Sequence, residues 1–170
     1  MDDPAQLAQT VWTMPEIVRS ALTALAVVVA IVSVMSVKNT AKKKQTADLL
    51  FDVRSDERLI RANHALLELH ESNENIRLLA DPEHKGEERV QDIRYILNHY
   101  ERLSVGLQEG IYHENMLKNS QHTIITKTYK WAKPFIDGVR EKTNSETAFQ
   151  EFEWLAKRWL DKPLKKKKRT

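Results

Sequence analysis

The sequence predicts an all-α protein, in which one N-terminal transmembrane helix precedes a cytosolic antiparallel bundle of about four helices. Three observations support this fold class. The 170 residues include only 4 glycines and 5 prolines, and 30% are charged, which favours long helices over a turn-rich β protein. One stretch near the N-terminus is uncharged for 18 residues. The rest of the chain repeats apolar residues with helical spacing.

The uncharged stretch, SALTALAVVVAIVSVMSV, covers residues 20–37. At about 1.5 Å per residue it spans roughly 27 Å, and extension back to Pro15 reaches the thickness of a hydrocarbon core. We therefore predict a transmembrane helix over 15–37, preceded by an extracytoplasmic tail (1–14) in which Trp12 is an interfacial aromatic residue. A cleaved signal peptide and a buried helix of a soluble protein are the alternatives. The acidic start of the chain argues against the first, and apolar residues on every face of the helix argue against the second.

Charge is segregated along the chain. The net charge is −2 over residues 1–19, and four lysines follow the apolar stretch. The positive-inside rule then predicts a single-pass inner-membrane protein with its N-terminus outside and its C-terminal domain in the cytoplasm. Residues 45–161 hold 16 basic and 21 acidic side chains, whereas 162–170 holds six basic ones. The basic character lies at the ends, so a nucleic-acid partner is not expected.

The cytosolic domain, 38–161, is predicted to be helix and turn. A first helical segment covers 46–70, in which Ser55-Asp56 either caps a new helix or is crossed by a continuous one. Residues 81–88 (DPEHKGEE) form the clearest loop. Spacings of 3-4-3-4-3-4 then predict a helical packing seam. Its members are Val90, Ile93, Leu97, Tyr100, Ser104, Leu107 and Ile111.

Two more amphipathic helices complete the predicted bundle, and their loops are short enough for antiparallel neighbours. The first places Ile124, Ile125, Thr128, Trp131, Phe135 and Val139 on one face. We expect Pro134 to bend it. The last helix is predicted to begin at Asn144 or Ser145, which are good N-cap residues. It repeats Phe149, Phe152, Ala156 and Trp159.

Three small residues, Ser104, Gly106 and Gly110, flank the seam. Each glycine costs about 1 kcal/mol relative to alanine inside a helix, so we expect helix packing at close range to offset that cost. A chain break or a π-bulge at Gly110, which would re-aim Tyr112 and His113, is the alternative.

Catalytic patterns are missing from the sequence. It has no cysteine, no HExxH, no nucleotide-binding glycine loop and no Glu-x-x-His. We therefore expect no cofactor, no metal site and no enzymatic activity. Asn98 and Glu101 are neighbours on one helix face, and we expect this candidate polar site to hydrogen-bond a neighbouring backbone. An enzyme acting on a lipid or membrane-bound substrate, through Glu101 with Asn98 or His99, is the alternative.

Basic residues on both sides of the domain are candidates for membrane-surface contact. They are Lys42, Lys43, Lys44, Lys165, Lys166, Lys167, Lys168 and Arg169. Each such residue near an anionic leaflet contributes about 1 kcal/mol. The tail, 162–170, is therefore predicted to be disordered and to bind the anionic inner leaflet of the bilayer. A solvated tail and attraction to nucleic acid are the alternatives, and aromatic residues between the lysines are lacking for the latter.

Three segments together carry a resemblance to a known family: NTAKKKQTADLLFDVRSDERLIRA, IRYILNHYERLSVGLQEGIYHENMLK and WAKPFIDGVREKTNSETAFQEFEWLAKRW. They resemble the bacterial and phage domain-of-unknown-function 4760 family. The resemblance implies one membrane span and a helical cytosolic domain, without an established activity. We expect a protein-interaction or scaffolding module for an unknown protein partner, with phage–host interplay as one setting. Homo-oligomerisation through Ala26 and Ala30 remains open.

Overall fold

The computed structural model describes residues 14–72 and 74–165. Within these residues the chain is all-helical, as the sequence predicts, and contains no strand. The helices are α1 (Met14–Ser55), α2 (Glu57–Glu71), α3 (Glu88–Gln108), α4 (Glu114–Thr143) and α5 (Gln150–Asp161), with short 3-10 helices at Leu78–Ala80 and Pro82–Gly86. Trp12, Lys166, Lys167, Lys168 and Arg169 lie outside the described residues, so their predicted roles stay predictions.

The chain divides into two compact units, Met1–Ala41 and Lys42–Thr170. In the first unit, every side chain over residues 15–41 is exposed. Helix α1 is long and apolar enough to cross a membrane. It does not end where the apolar run ends but continues to Ser55. Residues 38–55 contain neither glycine nor proline, so nothing in the local sequence interrupts the helix.

The second unit has a core built mainly from α2, α3, α4 and α5. The seam of α3 is buried at six of its seven predicted positions. The exception, Ile111, is 44% exposed because α3 ends at Gln108. In α4, which continues through Pro134, Ile124 is 37% exposed whereas Ile125 is buried. The four predicted apolar positions of the last helical stretch, Phe149, Phe152, Ala156 and Trp159, are all buried.

The helix ends show which local signals act. Asp56 caps α2, because its carboxylate accepts a hydrogen bond from the Leu59 N–H (2.9 Å). The predicted start of the last helix at Asn144 or Ser145 is wrong. Asn144 instead ends α4 with a φ of 49°, in the left-handed conformation that asparagine tolerates better than most residues. The chain then turns, and α5 begins at Gln150.

Candidate functional site

Glu101, on α3, contacts the first turn of α5. Its carboxylate accepts hydrogen bonds from the backbone N–H groups of Phe152 (2.8 Å) and Glu151 (3.3 Å). The first N–H groups of a helix have no acceptor within that helix, so a carboxylate from another helix satisfies them. Burial raises the pKa of Glu101, and the two N–H bonds act in the opposite direction. Glu101 therefore positions α5 on α3, and both of its oxygens are occupied.

Asn98 and His99 have surroundings that differ from those of Glu101. Asn98 is exposed and lines a surface cavity of about 420 Å³ together with basic residues. His99 packs edge-on against Tyr100, with ring centroids 5.2 Å apart. Its buried Nε2 atom has no hydrogen-bond partner among the described residues. Burial lowers the pKa of His99, and the Arg102 charge lowers it further. The structure thus distributes the three residues over three different local environments.

Gly110 ends α3. The Ile111 N–H donates to the Gly106 carbonyl (2.9 Å), and the Gly110 N–H donates to the Leu107 carbonyl (3.1 Å). With Gly110 at a φ of 68°, this is a Schellman motif. The prediction that Gly110 lies inside a helix and packs on a neighbour is therefore wrong, because its left-handed backbone reverses the chain. The alternative, a break at Gly110, is what the structure has.

Gly106 and Ser104 remain inside α3 and are buried. A Cβ atom on Gly106 would lie 2.5 Å from Cε2 of Tyr112, so the glycine makes room for an aromatic ring that follows the turn. The Ser104 hydroxyl donates to the Tyr100 carbonyl (2.6 Å) within the same helix. The close approach at Gly106 is therefore to the chain segment after α3.

The α3–α4 turn is tied to the part of α1 that belongs to the second unit. The buried Thr46 hydroxyl oxygen accepts a hydrogen bond from the His113 N–H (2.8 Å). The imidazole Nδ1 of His113 accepts from the Met116 N–H (3.2 Å) and so caps α4. Lys42 is half-buried beside Gly110, whereas Lys43, Lys44 and Lys165 are exposed.

Sequence reasoning missed two ion-pair clusters, because each includes partners that are far apart in the chain. Asp92, only 3% exposed, receives hydrogen bonds from Arg61 at 3.0 and 3.4 Å. Glu153 pairs with Arg140 at 2.6 Å and Lys157 at 2.7 Å, and it accepts the Tyr129 hydroxyl at 3.0 Å. The available sequence signal for Asp92 was the position of an acidic residue next to the seam residue Ile93.

A groove of about 440 Å³ lies between α2 and α4. Its lining is mostly apolar and includes Leu67, Ile124 and Trp131. His64 and Lys127 also line it. Trp131 is held by a stacked contact with His70 (5.0 Å between centroids), and the Lys127 Nζ atom lies 5.8 Å from the same indole ring. None of the described lining residues is acidic.

Among the described residues, Asp81, Glu83 and His84 could together hold a metal ion, since their ligand atoms lie within 4.8 Å of one another. Other partners already engage two of these side chains. Asp81 forms an ion pair with Lys142, and His84 Nδ1 contacts Glu87 at 2.5 Å. Ion pairing therefore accounts for the cluster.

Comparison with known proteins identifies a family but no related protein of known structure. No curated protein and no solved structure matches the chain. A family model described as "Domain of unknown function (DUF4760)" matches residues 20–159, which include the apolar run of α1 and the helical domain as far as Trp159. The chain therefore belongs to this family.

Proposed function

We propose that the protein is a single-pass inner-membrane protein whose helical domain acts in the cytoplasm as a protein-interaction or scaffolding module without catalytic activity. The observation that carries this proposal is the exposure of every apolar side chain of α1 over residues 15–37. Exposure of this apolar surface to water is unfavourable by about 25 cal/mol per Å², whereas contact with the hydrocarbon of a bilayer avoids this cost. Because the sequence resembles a bacterial and phage family, we propose phage–host interplay as one setting for this role.

The orientation rests on charge. Lys43 and Lys44 are exposed a few residues after the apolar run, and Lys165 is exposed in the basic tail. Cytoplasmic placement of these lysines beside an anionic leaflet is favourable, by about 1 kcal/mol for each lysine near the surface. We propose that they hold an antiparallel helical bundle close to the inner leaflet.

The hydrogen bonds of the Glu101 carboxylate favour a non-enzymatic role. A general acid or base needs an oxygen that can reach substrate. Both Glu101 oxygens are bonded to backbone N–H groups of α5, and Asn98 does not share these bonds. We propose that this carboxylate stabilises the domain, and that function lies on the surface.

The groove between α2 and α4 is the proposed interaction surface, and its proposed occupant is an amphipathic helix of a partner protein. Leu67, Ile124 and Trp131 offer the apolar contacts that a helix in a groove uses. Lys127 and His64, with no acidic residue among the described lining, favour a partner that carries a carboxylate next to its apolar face.

Topology is the first test. A reporter enzyme active only in the cytoplasm, fused to the C-terminus, should be active, and a periplasmic reporter at the same position should be silent. Membranes washed with alkaline carbonate should retain the chain. Activity of the periplasmic reporter alone, or release of the chain by carbonate, would contradict the proposal.

The groove is tested by site-specific photo-crosslinking in cells. A crosslinking residue at position 124 should give one discrete protein adduct, and Lys127→Glu should weaken it through repulsion of the acidic partner. Position 105 is the matched control, since Val105 is an exposed apolar residue on α3, away from the groove. Equal adducts from positions 105 and 124, or an adduct unaffected by Lys127→Glu, would count against this surface.

A further inference from the structure

A second surface cavity, about 420 Å³ in volume, has a different character from the groove. Its described lining residues are Arg58, Lys85, Gln91, Arg94, Tyr95 and Asn98, with three cations and no carboxylate. The cations come from three elements, namely α2, the 3-10 helix Pro82–Gly86 and α3. This basic cavity is not used by the proposed function.

Arg94 is held in place by the protein. Its Nε atom is buried and has no hydrogen-bond partner among the described residues. Its guanidinium carbon lies 5.4 Å from the ring centroid of Phe135, a fully buried residue of α4. An unsatisfied buried donor is unfavourable. The protein nevertheless keeps the Arg94 guanidinium at the cavity that this side chain lines.

Arg58 is also oriented. Its guanidinium carbon lies 4.4 Å from the Tyr95 ring centroid, and the Tyr95 hydroxyl donates to Asp56 (2.8 Å), which fixes the ring. Arg58 Nε is 3.6 Å from Asp92, but that carboxylate is already bonded by Arg61 at 3.0 Å. Two arginines thus share Asp92, and Arg61 also lies 3.8 Å from Glu88. The cavity lining itself holds three cations and no carboxylate.

We propose that this basic cavity is a binding site for a phosphoryl group. Arginine guanidinium groups bind phosphate oxygens in pairs of hydrogen bonds, and two oriented arginines with a lysine match the charge of a phosphate monoester better than that of a single carboxylate. The exposed amide of Asn98 supplies a neutral donor, whereas the Gln91 amide already donates to the Gly86 carbonyl (3.4 Å). The phosphoryl group comes from a soluble phosphorylated compound or from a lipid headgroup.

Two measurements on the full chain in neutral-detergent micelles distinguish these sources. Calorimetric titration with inorganic phosphate and with pyrophosphate, at constant ionic strength in chloride, measures binding in solution. Native mass spectrometry from micelles doped with phosphatidic acid and phosphatidylglycerol measures headgroup binding. We expect saturable binding of pyrophosphate or preferential retention of phosphatidic acid. Either result, if lost in the variants below, supports the site and identifies the source.

The variants are Arg94→Gln, Arg58→Gln and Lys85→Gln. Each should weaken binding by at least about fivefold, because each removes a charged hydrogen-bond donor. Lys85 is exposed on a surface 3-10 helix, so its variant tests the site even if Arg94→Gln fails to fold. Arg77→Gln is the matched control, since Arg77 forms a surface ion pair with Glu141 beside a cavity of mixed charge. Absence of both kinds of binding, or equal weakening by Arg77→Gln, would overturn the proposal.

Discussion

The two units of the chain differ in where their apolar side chains lie. Over residues 15–41 every side chain is exposed, although the segment includes a run of apolar residues. In the second unit many large apolar side chains, such as Trp159, Tyr100 and Phe135, are almost completely buried. A segment adapted to lipid is recognisable from composition alone, whereas a domain that buries its own core must be understood from contacts between distant residues.

The largest expected effect concerns the first unit. Two lysines at the centre of the apolar run, Val28→Lys with Val32→Lys, should each disfavour insertion by about 3 kcal/mol. Alkaline carbonate should then release the chain from membranes. The control, Val105→Lys, places a lysine at an exposed apolar position of the helical domain and should leave the chain in the membrane pellet. Retention of the double variant in the pellet would mean that α1 does not span the bilayer.

In the second unit, the largest effect should follow removal of a core aromatic residue. Trp159 is fully buried, and its indole N–H donates to Glu114 (3.3 Å). Trp159→Ala should lower the free energy of unfolding by about 3–5 kcal/mol through lost burial and a cavity. Urea unfolding of the full chain in neutral micelles, followed by ellipticity at 222 nm, measures this.

Trp154→Ala is the matched control for that experiment. Trp154 lies on the same helix but is 37% exposed, with the Arg158 guanidinium 5.5 Å from its ring. Its loss should cost less than about 1.5 kcal/mol. Similar losses in the two variants would indicate that α5 does not pack on the core as described.

The pH dependence of the free energy of unfolding should reveal the contribution of Glu153 and its charged partners. Burial acts to raise the pKa of Glu153, but hydrogen bonds from Lys157, Arg140 and Tyr129 outweigh it and lower the pKa to about 2. Because the folded pKa is below the unfolded value, the stabilisation is complete above about pH 4.5 and is lost as the pH falls towards 2. The side chain is 15% exposed, and the contribution is on the order of 2–3 kcal/mol.

The measurement compares the full chain with its Glu153→Gln variant between pH 7 and pH 3. The difference in unfolding free energy should be largest at neutral pH and should shrink with acidification, since other titrating groups cancel between the two proteins. A difference that stays constant with pH would mean that the Glu153 carboxylate is not stabilised by its charged partners.

The sequence predicts features that repeat within one helix better than contacts between residues that are far apart in the chain. Periodicity locates α3 and the buried faces of α3 and α5, because one buried stripe repeats within each helix. It places Ile111 wrongly in the seam, since periodicity does not register a left-handed residue at Gly110. It also misses the Arg58, Arg94 and Asn98 cavity, whose members come together only when α2 packs on α3. Polar contacts at long separation leave no periodic signal.

The smallest predicted effect concerns Gly110. Gly110→Ala should cost about 1 kcal/mol, because alanine is strained at a φ of 68°. Asparagine tolerates this conformation better, so Gly110→Asn should recover part of the loss. Gly86→Ala is the control, since Gly86 has no positive φ and an added Cβ there meets nothing within 4 Å.

The three variants are compared by urea unfolding of the full chain. An added Cβ at Gly110 would also lie 3.1 Å from the Lys42 Nζ atom, but that flexible end can move, so the backbone accounts for most of the cost. If Gly110→Ala were neutral or stabilising, α3 would run on through residue 110 as a continuous helix, and Ile111 would join the seam. That outcome would restore the purely periodic description of the domain, whereas a loss rescued by asparagine would show that one backbone conformation ends the helix and directs Tyr112 and His113 to their contacts.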